Sequence, residues 1–154
     1  MIRIVAAALA LTLGMPGLCH AQAAAGQRQE VLAFVRAYID AANRGDMTAY
    51  VEMYAQRPDL VTISDGDVTR GWEAVRNEAN QMVGTEGAYR VFPGVVEVVS
   101  LSQSMAIAVV PFALTMNTPQ GVVQRRGVMS LVVQKTPDGW RIIHDHSSFT
   151  PAGQ

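Results

Sequence analysis

The chain has 154 residues, with 12 Lys and Arg against 13 Asp and Glu, a formal charge of −1 and one cysteine, Cys19. That balance gives no electrostatic footprint for nucleic acid or for an anionic membrane surface, and a lone cysteine excludes a disulfide framework within the chain. No repeat or low-complexity tract interrupts the sequence.

Residues 1–23 read as an export signal. Arg3 supplies a positive start, Ile4 to Leu13 is an uninterrupted apolar run, and Met15-Pro16-Gly17 breaks it. Ala21-Gln22-Ala23 then has the small-x-small pattern of a signal peptidase site. The apolar run is shorter than the roughly 20 residues that a spanning helix needs. Cleavage after Ala23 and a periplasmic or secreted location are expected, with no membrane anchor. The competing reading is a lipoprotein acylated at Cys19, and Leu18, bulky where a small residue belongs, counts against it. Cleavage removes Arg3 and no acid, leaving one domain of about 131 residues (24–154) with a formal charge of −2. Cys19 leaves with the signal, so the mature chain is held by its core alone.

Residues 24–29 read as a mobile lead-in. From Glu30 to Asn43, Val31, Leu32, Phe34, Val35, Tyr38, Ile39 and Ala42 recur at helical spacing and predict a first helix with a broad buried face. Gly45 suits the position just after that helix, and Asp46 the N-cap of the next. The second helix, about Met47–Ala55, turns Tyr50, Met53 and Tyr54 to the core and ends at Pro58-Asp59. Leu60–Ser64 alternates as a short strand, and Asp65-Gly66-Asp67 is a turn. Gly71-Trp72 opens a third helix that runs to about Val83 and is closed by Gly84 to Gly87. Tyr89–Leu101, Met105–Met116, Val122–Lys135 and Trp140–Ser148 are β-rich, joined by hairpin-type connections. Pro93-Gly94 marks a bend in the first of them. Helices followed by a meander of long strands argue for an α+β domain, with three N-terminal helices packed on one face of a curved antiparallel sheet that encloses a pocket.

Three stretches carry a family resemblance. Residues 37–55 resemble the helix-Gly-Asp-helix opening of nuclear transport factor 2-like domains, and Arg70-Gly71-Trp72-Glu73-Ala74-Val75 resembles the start of their third helix. The ending from Asp138 to Ser148, with Trp140 and then His144-Asp145-His146-Ser147-Ser148, resembles the last strand of SnoaL-like proteins. It is also similar to the association domain of calcium/calmodulin-dependent protein kinase II. The resemblance implies a cone-shaped fold. It leaves the activity open, because this superfold hosts isomerases, hydrolases, dehydratases and assembly domains.

Strand alternation places Trp140, Ile142, His144 and His146 on one side and Arg141, Ile143, Asp145 and Ser147 on the other. The two imidazoles then either face a ligand or hold the sheet end through backbone hydrogen bonds. A zinc site would need a third ligand that the sequence does not bring near; no metal and no cofactor are expected. Arg125 and Arg126 point to opposite faces. Arg126 shares parity with Ser130 and is the favoured cavity residue, where a guanidinium would suit an anion; the other reading is a pair of surface arginines.

Ketosteroid isomerases share the fold that the resemblance implies. Tyr38 matches their catalytic tyrosine, and their general base falls at Asp65 or Ser64. Their second oxyanion donor falls at Ser130-Leu131, where this chain has no acid. Tyr54 and Trp72, with Tyr38, are expected as core or pocket wall. Two functions remain. One is a small-molecule site for an anionic or carbonyl oxygen, with acid–base chemistry carried by His144, His146, Asp65 and Tyr38 and binding by Arg126, Trp72, Tyr54 and Ser130. The other is a non-catalytic binding or assembly module. A homodimer through the outer sheet face is expected in either case, because Met105–Met116 and Val122–Val133 are apolar at both parities.

Overall fold

The computed structural model describes residues 16–81 and 89–150. Its elements in chain order are α1 (Pro16–Arg44), α2 (Met47–Glu52), β1 (Val61–Ser64), β2 (Asp67–Arg70) and α3 (Trp72–Gln81), then β3 (Tyr89–Pro93), β4 (Glu97–Ser102), β5 (Met105–Thr118), β6 (Gly121–Thr136) and β7 (Gly139–Phe149). The expected end of the third helix near Val83 and its closing glycines lie outside the described residues, as do residues 4–13 of the expected signal.

α1 buries the expected stripe, with Val31, Val35, Tyr38, Ile39 and Ala42 all turned to the core. Gly45 takes a φ of 69° at its end, a left-handed backbone that costs glycine little. Asp46 caps α2, its Oδ1 accepting the Ala49 N–H at 3.0 Å. Residues 24–29 are helical, contrary to the expected lead-in, because α1 begins at Pro16. Gln27 Nε2 donates to the Ser102 carbonyl at 2.6 Å. One turn on, Glu30 accepts from Lys135 Nζ at 2.6 Å and from Trp140 Nε1 at 3.0 Å. The Lys135 bond holds the Glu30 carboxyl below its ordinary range.

The strands form one sheet in the order β2-β1-β7-β6-β5-β3, with β4 also on β5. β5 pairs over its whole length with β6, from Met105↔Gln134 to Thr118↔Gly121. The bend at Pro93-Gly94 splits the first β-rich stretch, so that β3 pairs the second half of β5 and β4 the first. The sheet is mixed rather than wholly antiparallel: β1 runs parallel to β7. β2, where only a turn was expected at Asp67, completes a hairpin with β1 around Asp65-Gly66.

The core lies between the helices and the inner sheet face. Ala106, Ala108 and Val110 of β5, Leu131 and Val133 of β6 and Ile142 of β7 are fully buried there. Each large one contributes roughly 1.5–3 kcal/mol by leaving water. The outer face bears Ile107, Val109, Ser130 and Val132, all half-buried.

Candidate functional site

β7 does not alternate regularly. Val132 pairs with His144, yet the next β6 residue, Val133, pairs with Ile142, so Ile143 is an extra, bulged residue. A bulge reverses which side chains face inward beyond it. Trp140 and Ile142 point to the core before it; Asp145 is buried after it. His144 is half-buried and His146 exposed, and neither lines the interior cavity. The expectation that both imidazoles share a face with Trp140 is corrected by this one residue.

Asp145 meets three tyrosines. Tyr38 comes from the buried stripe of α1, Tyr50 from α2, and Tyr54 from the segment after α2, where it bridges to Ile142. Tyr54 donates to Asp145 Oδ2 at 2.8 Å and Tyr38 approaches the same oxygen at 3.3 Å. The hydroxyls form a triangle of 2.7 Å (Tyr38–Tyr54), 2.8 Å (Tyr38–Tyr50) and 3.1 Å (Tyr50–Tyr54). Three hydroxyl protons cannot serve five close contacts at once. A proton on Asp145 would add a donor, so the cluster can hold one more proton without moving a side chain.

Burial sets the protonation of the cluster. It raises the Asp145 carboxyl above its ordinary value, against the opposing hydrogen bonds from Tyr54, Tyr38 and Ser147. Desolvation also pushes Tyr50 up to about 12 and Tyr38 and Tyr54 well above the ordinary tyrosine range, so all three are neutral donors.

These groups line a cavity of about 560 Å³. Ile39, Val75, Val91, Phe112, Leu114 and Met129 supply apolar wall, while Thr62, Ser64, Asp67, Thr69, Glu78 and Ser147 supply polar wall. Such a space, apolar with a few convergent polar groups, is the ordinary form of a small-molecule site.

Of the residues expected to form the site, Tyr38 and Tyr54 do so, together with Tyr50, which was expected only as core. Trp72 does not line the cavity: its Nε1 donates to the Val51 carbonyl at 3.2 Å and its ring carries the Arg76 guanidinium. Arg126 and Ser130 fall on the outer parity, because Met129, Leu131 and Val133 face inward. Arg126 is exposed. Arg125 has the inner parity, yet it lies over the Phe149 ring at 4.0 Å and pairs with Asp65 at 3.0 Å. Asp65 does not line the cavity, and its other oxygen accepts the Phe149 N–H at 3.0 Å. The acid missing from the Ser130-Leu131 position is present one strand away: Asp145 is the direct sheet partner of Leu131. Among the described residues no group of three potential metal ligands comes together, and no helix is long and apolar enough to cross a membrane.

The SnoaL-like domain profile matches residues 31–152, which include every element of this cavity. The chain belongs to the SnoaL-like domain family. Solved structures of the same fold include an NTF-2 like protein of unknown function from Shewanella oneidensis, 26% identical, with a TM-score of 0.66 over 79% of this chain and 98% of that one. A protein from Streptomyces avermitilis, provisionally named a dehydratase of the NTF2-like family, is 18% identical with a TM-score of 0.73 over 83% and 99%. One from Novosphingobium aromaticivorans, provisionally named a scytalone dehydratase, is 8% identical with a TM-score of 0.76 over 85% and 89%. At these identities the last two show the fold of the SnoaL-like domain alone. No curated protein matches the chain significantly.

Proposed function

We propose that this SnoaL-like domain binds a small molecule in its cavity, with a carbonyl or hydroxyl oxygen of the ligand directed to Asp145 and the tyrosine cluster. The observation that carries this reading is a buried acid, hydrogen-bonded to neutral tyrosines, in the lining of a cavity that has both a polar and an apolar wall. Burial raises the proton affinity of the Asp145 carboxyl, which suits a group that passes a proton to a ligand oxygen and then holds the negative charge that results. Loss of water from a substrate needs such an acid at the departing hydroxyl, and two proteins of the same fold are provisionally named dehydratases. Arg126 lies away from the cavity, so the ligand oxygen is met by neutral donors rather than by a guanidinium.

Calorimetric titration with acetylnaphthalene, a neutral aromatic ketone, tests the reading. Wild type is expected to bind it, and Leu114→Trp to lose binding by filling the cavity. Equal binding by wild type and Leu114→Trp would contradict the reading.

The outer sheet face supports a second, compatible reading, that of a homodimer. The cross-strand row Val99, Ile107, Val132, His144 and Val61 is mostly apolar, and Val99 is half exposed. A second copy would cover it. We also propose export, with cleavage after Ala23; Gln22 to Gly26 are exposed, so the cut falls in an exposed stretch of α1.

A further inference from the structure

The polar wall of the cavity is an ordered panel. β2, β1 and β7 lie side by side, and their inward residues align in two rows, Asp67–Ser64–Ser147 and Thr69–Thr62–Asp145. All six line the cavity. Adjacent strands lie about 4.8 Å apart, so the panel offers short hydroxyls and carboxylates at regular spacing. Glu78 of α3 extends the upper row, its Oε1 accepting the Thr69 hydroxyl at 2.6 Å. Apolar β3, β5 and β6 residues, among them Val91, Phe112, Leu114 and Met129, form the other wall.

The charges of this cavity have one sign. Among the described residues, the acids Asp67, Glu78 and Asp145 line it, and no Lys, Arg or His does. Residues 82–88 and 151–154 contain no basic residue either. Arg125, near the rim, is engaged by Asp65 and Phe149. Asp67 and Glu78 are exposed and Asp145 buried; carboxylates that share a cleft without a counter-charge add their fields inside it. They favour a cation and oppose an anion.

Resting on the reading that the cavity is a ligand site, we infer that its ligand is an amphipathic organic amine. The ammonium lies on the panel near Asp67 and Glu78, where carboxylate and hydroxyl oxygens can accept its protons, and the apolar body lies on the β3–β5–β6 wall. An ammonium there gains charge-assisted hydrogen bonds, whereas a carboxylate in the same position meets like charge with no donor stronger than a hydroxyl.

Three probes of one skeleton test the inference: naphthylmethylamine, naphthalenemethanol and naphthoate, measured by equilibrium dialysis at pH 7 and low salt. The amine is expected to bind best, about tenfold or more tighter than naphthoate, with the alcohol between them. Asp67→Asn with Glu78→Gln, isosteric changes at exposed positions, should bring the three affinities together. Naphthoate or the alcohol binding as tightly as the amine would overturn the inference while leaving the cavity a ligand site. Failure of all three to bind wild type more tightly than Leu114→Trp would overturn the ligand site itself.

Discussion

The Tyr54 hydroxyl donates to Asp145 Oδ2 at 2.8 Å, joining two residues 91 positions apart in the chain. That bond exists because Ile143 bulges out of register and turns Asp145 inward. Without the extra residue the same strand would present imidazoles to the interior and an acid to the outside. The inner chemistry of the domain is therefore that of a carboxyl among phenols.

A buried acid of this kind makes stability depend on pH. Burial raises the folded-state value of Asp145 above its ordinary 3.8. Between the two values the native state binds more protons than the unfolded chain. The contribution of the residue is therefore present in full below about pH 4 and is lost as pH rises through the folded value. Asp145→Asn should melt at a higher temperature than wild type at pH 7, by a margin that shrinks toward pH 4. It should also lose about 10²-fold or more of any acid–base turnover. Calorimetric melting curves across that range check the first statement; a variant less stable at pH 7 would contradict it.

The histidines belong to a different surface. His144→Ala with His146→Ala should leave the cavity affinity for acetylnaphthalene unchanged within about twofold, since neither residue lines it. Val132→Glu, on the same outer face, should convert a dimer to a monomer by placing a charge in its apolar contact. Light scattering and calorimetry together check both outcomes. A monomeric wild type would end the dimer reading.

Close backbone approach fixes Gly127. A Cβ there would lie 2.5 Å from the Ser148 carbonyl oxygen and 2.8 Å from Phe112 Cζ. Phe112 meets Phe149 edge to face at 5.4 Å, so the ring has little room to move. Gly127→Ala should cost about 1–3 kcal/mol in chemical denaturation, the usual range for overpacking. A neutral result would mean that the β6–β7 ladder is looser there than its geometry.

Much of this architecture is legible in the sequence. The α1 stripe, the Gly45-Asp46 junction and the break at Pro93-Gly94 are local signals, each fixed by side-chain periodicity or by backbone freedom. The β7 bulge is not local. Trp140, Ile142, His144 and His146 alternate as a regular strand would, and an inserted residue changes facing without changing composition. The adjacent pair Ile142-Ile143, apolar at both parities just before His144-Asp145, is the available hint. A similar difficulty applies to Arg126, favoured because Ser130 reads as the inward polar residue. Met129, Leu131 and Gly127 show the opposite parity, and Gly127, tightly packed under Phe112, is the better marker.

Export has its own check. Protein recovered from its native compartment should begin at Ala24, with α1 shortened to residues 24–44 and without lipid. Intact mass reads this directly, and an acylated Cys19 would contradict it.

The central claim is that Asp145 is the acid of a ligand-binding cavity, and its own titration tests it. Carboxyl carbons of ¹³C-aspartate-labelled protein can be followed by NMR from pH 3 to 9, with Asp145→Asn to assign the signal. The Asp145 carbon should titrate above the ordinary aspartate range, and its midpoint should shift when acetylnaphthalene is added. A midpoint at or below that range, unmoved by the ketone, would contradict the account.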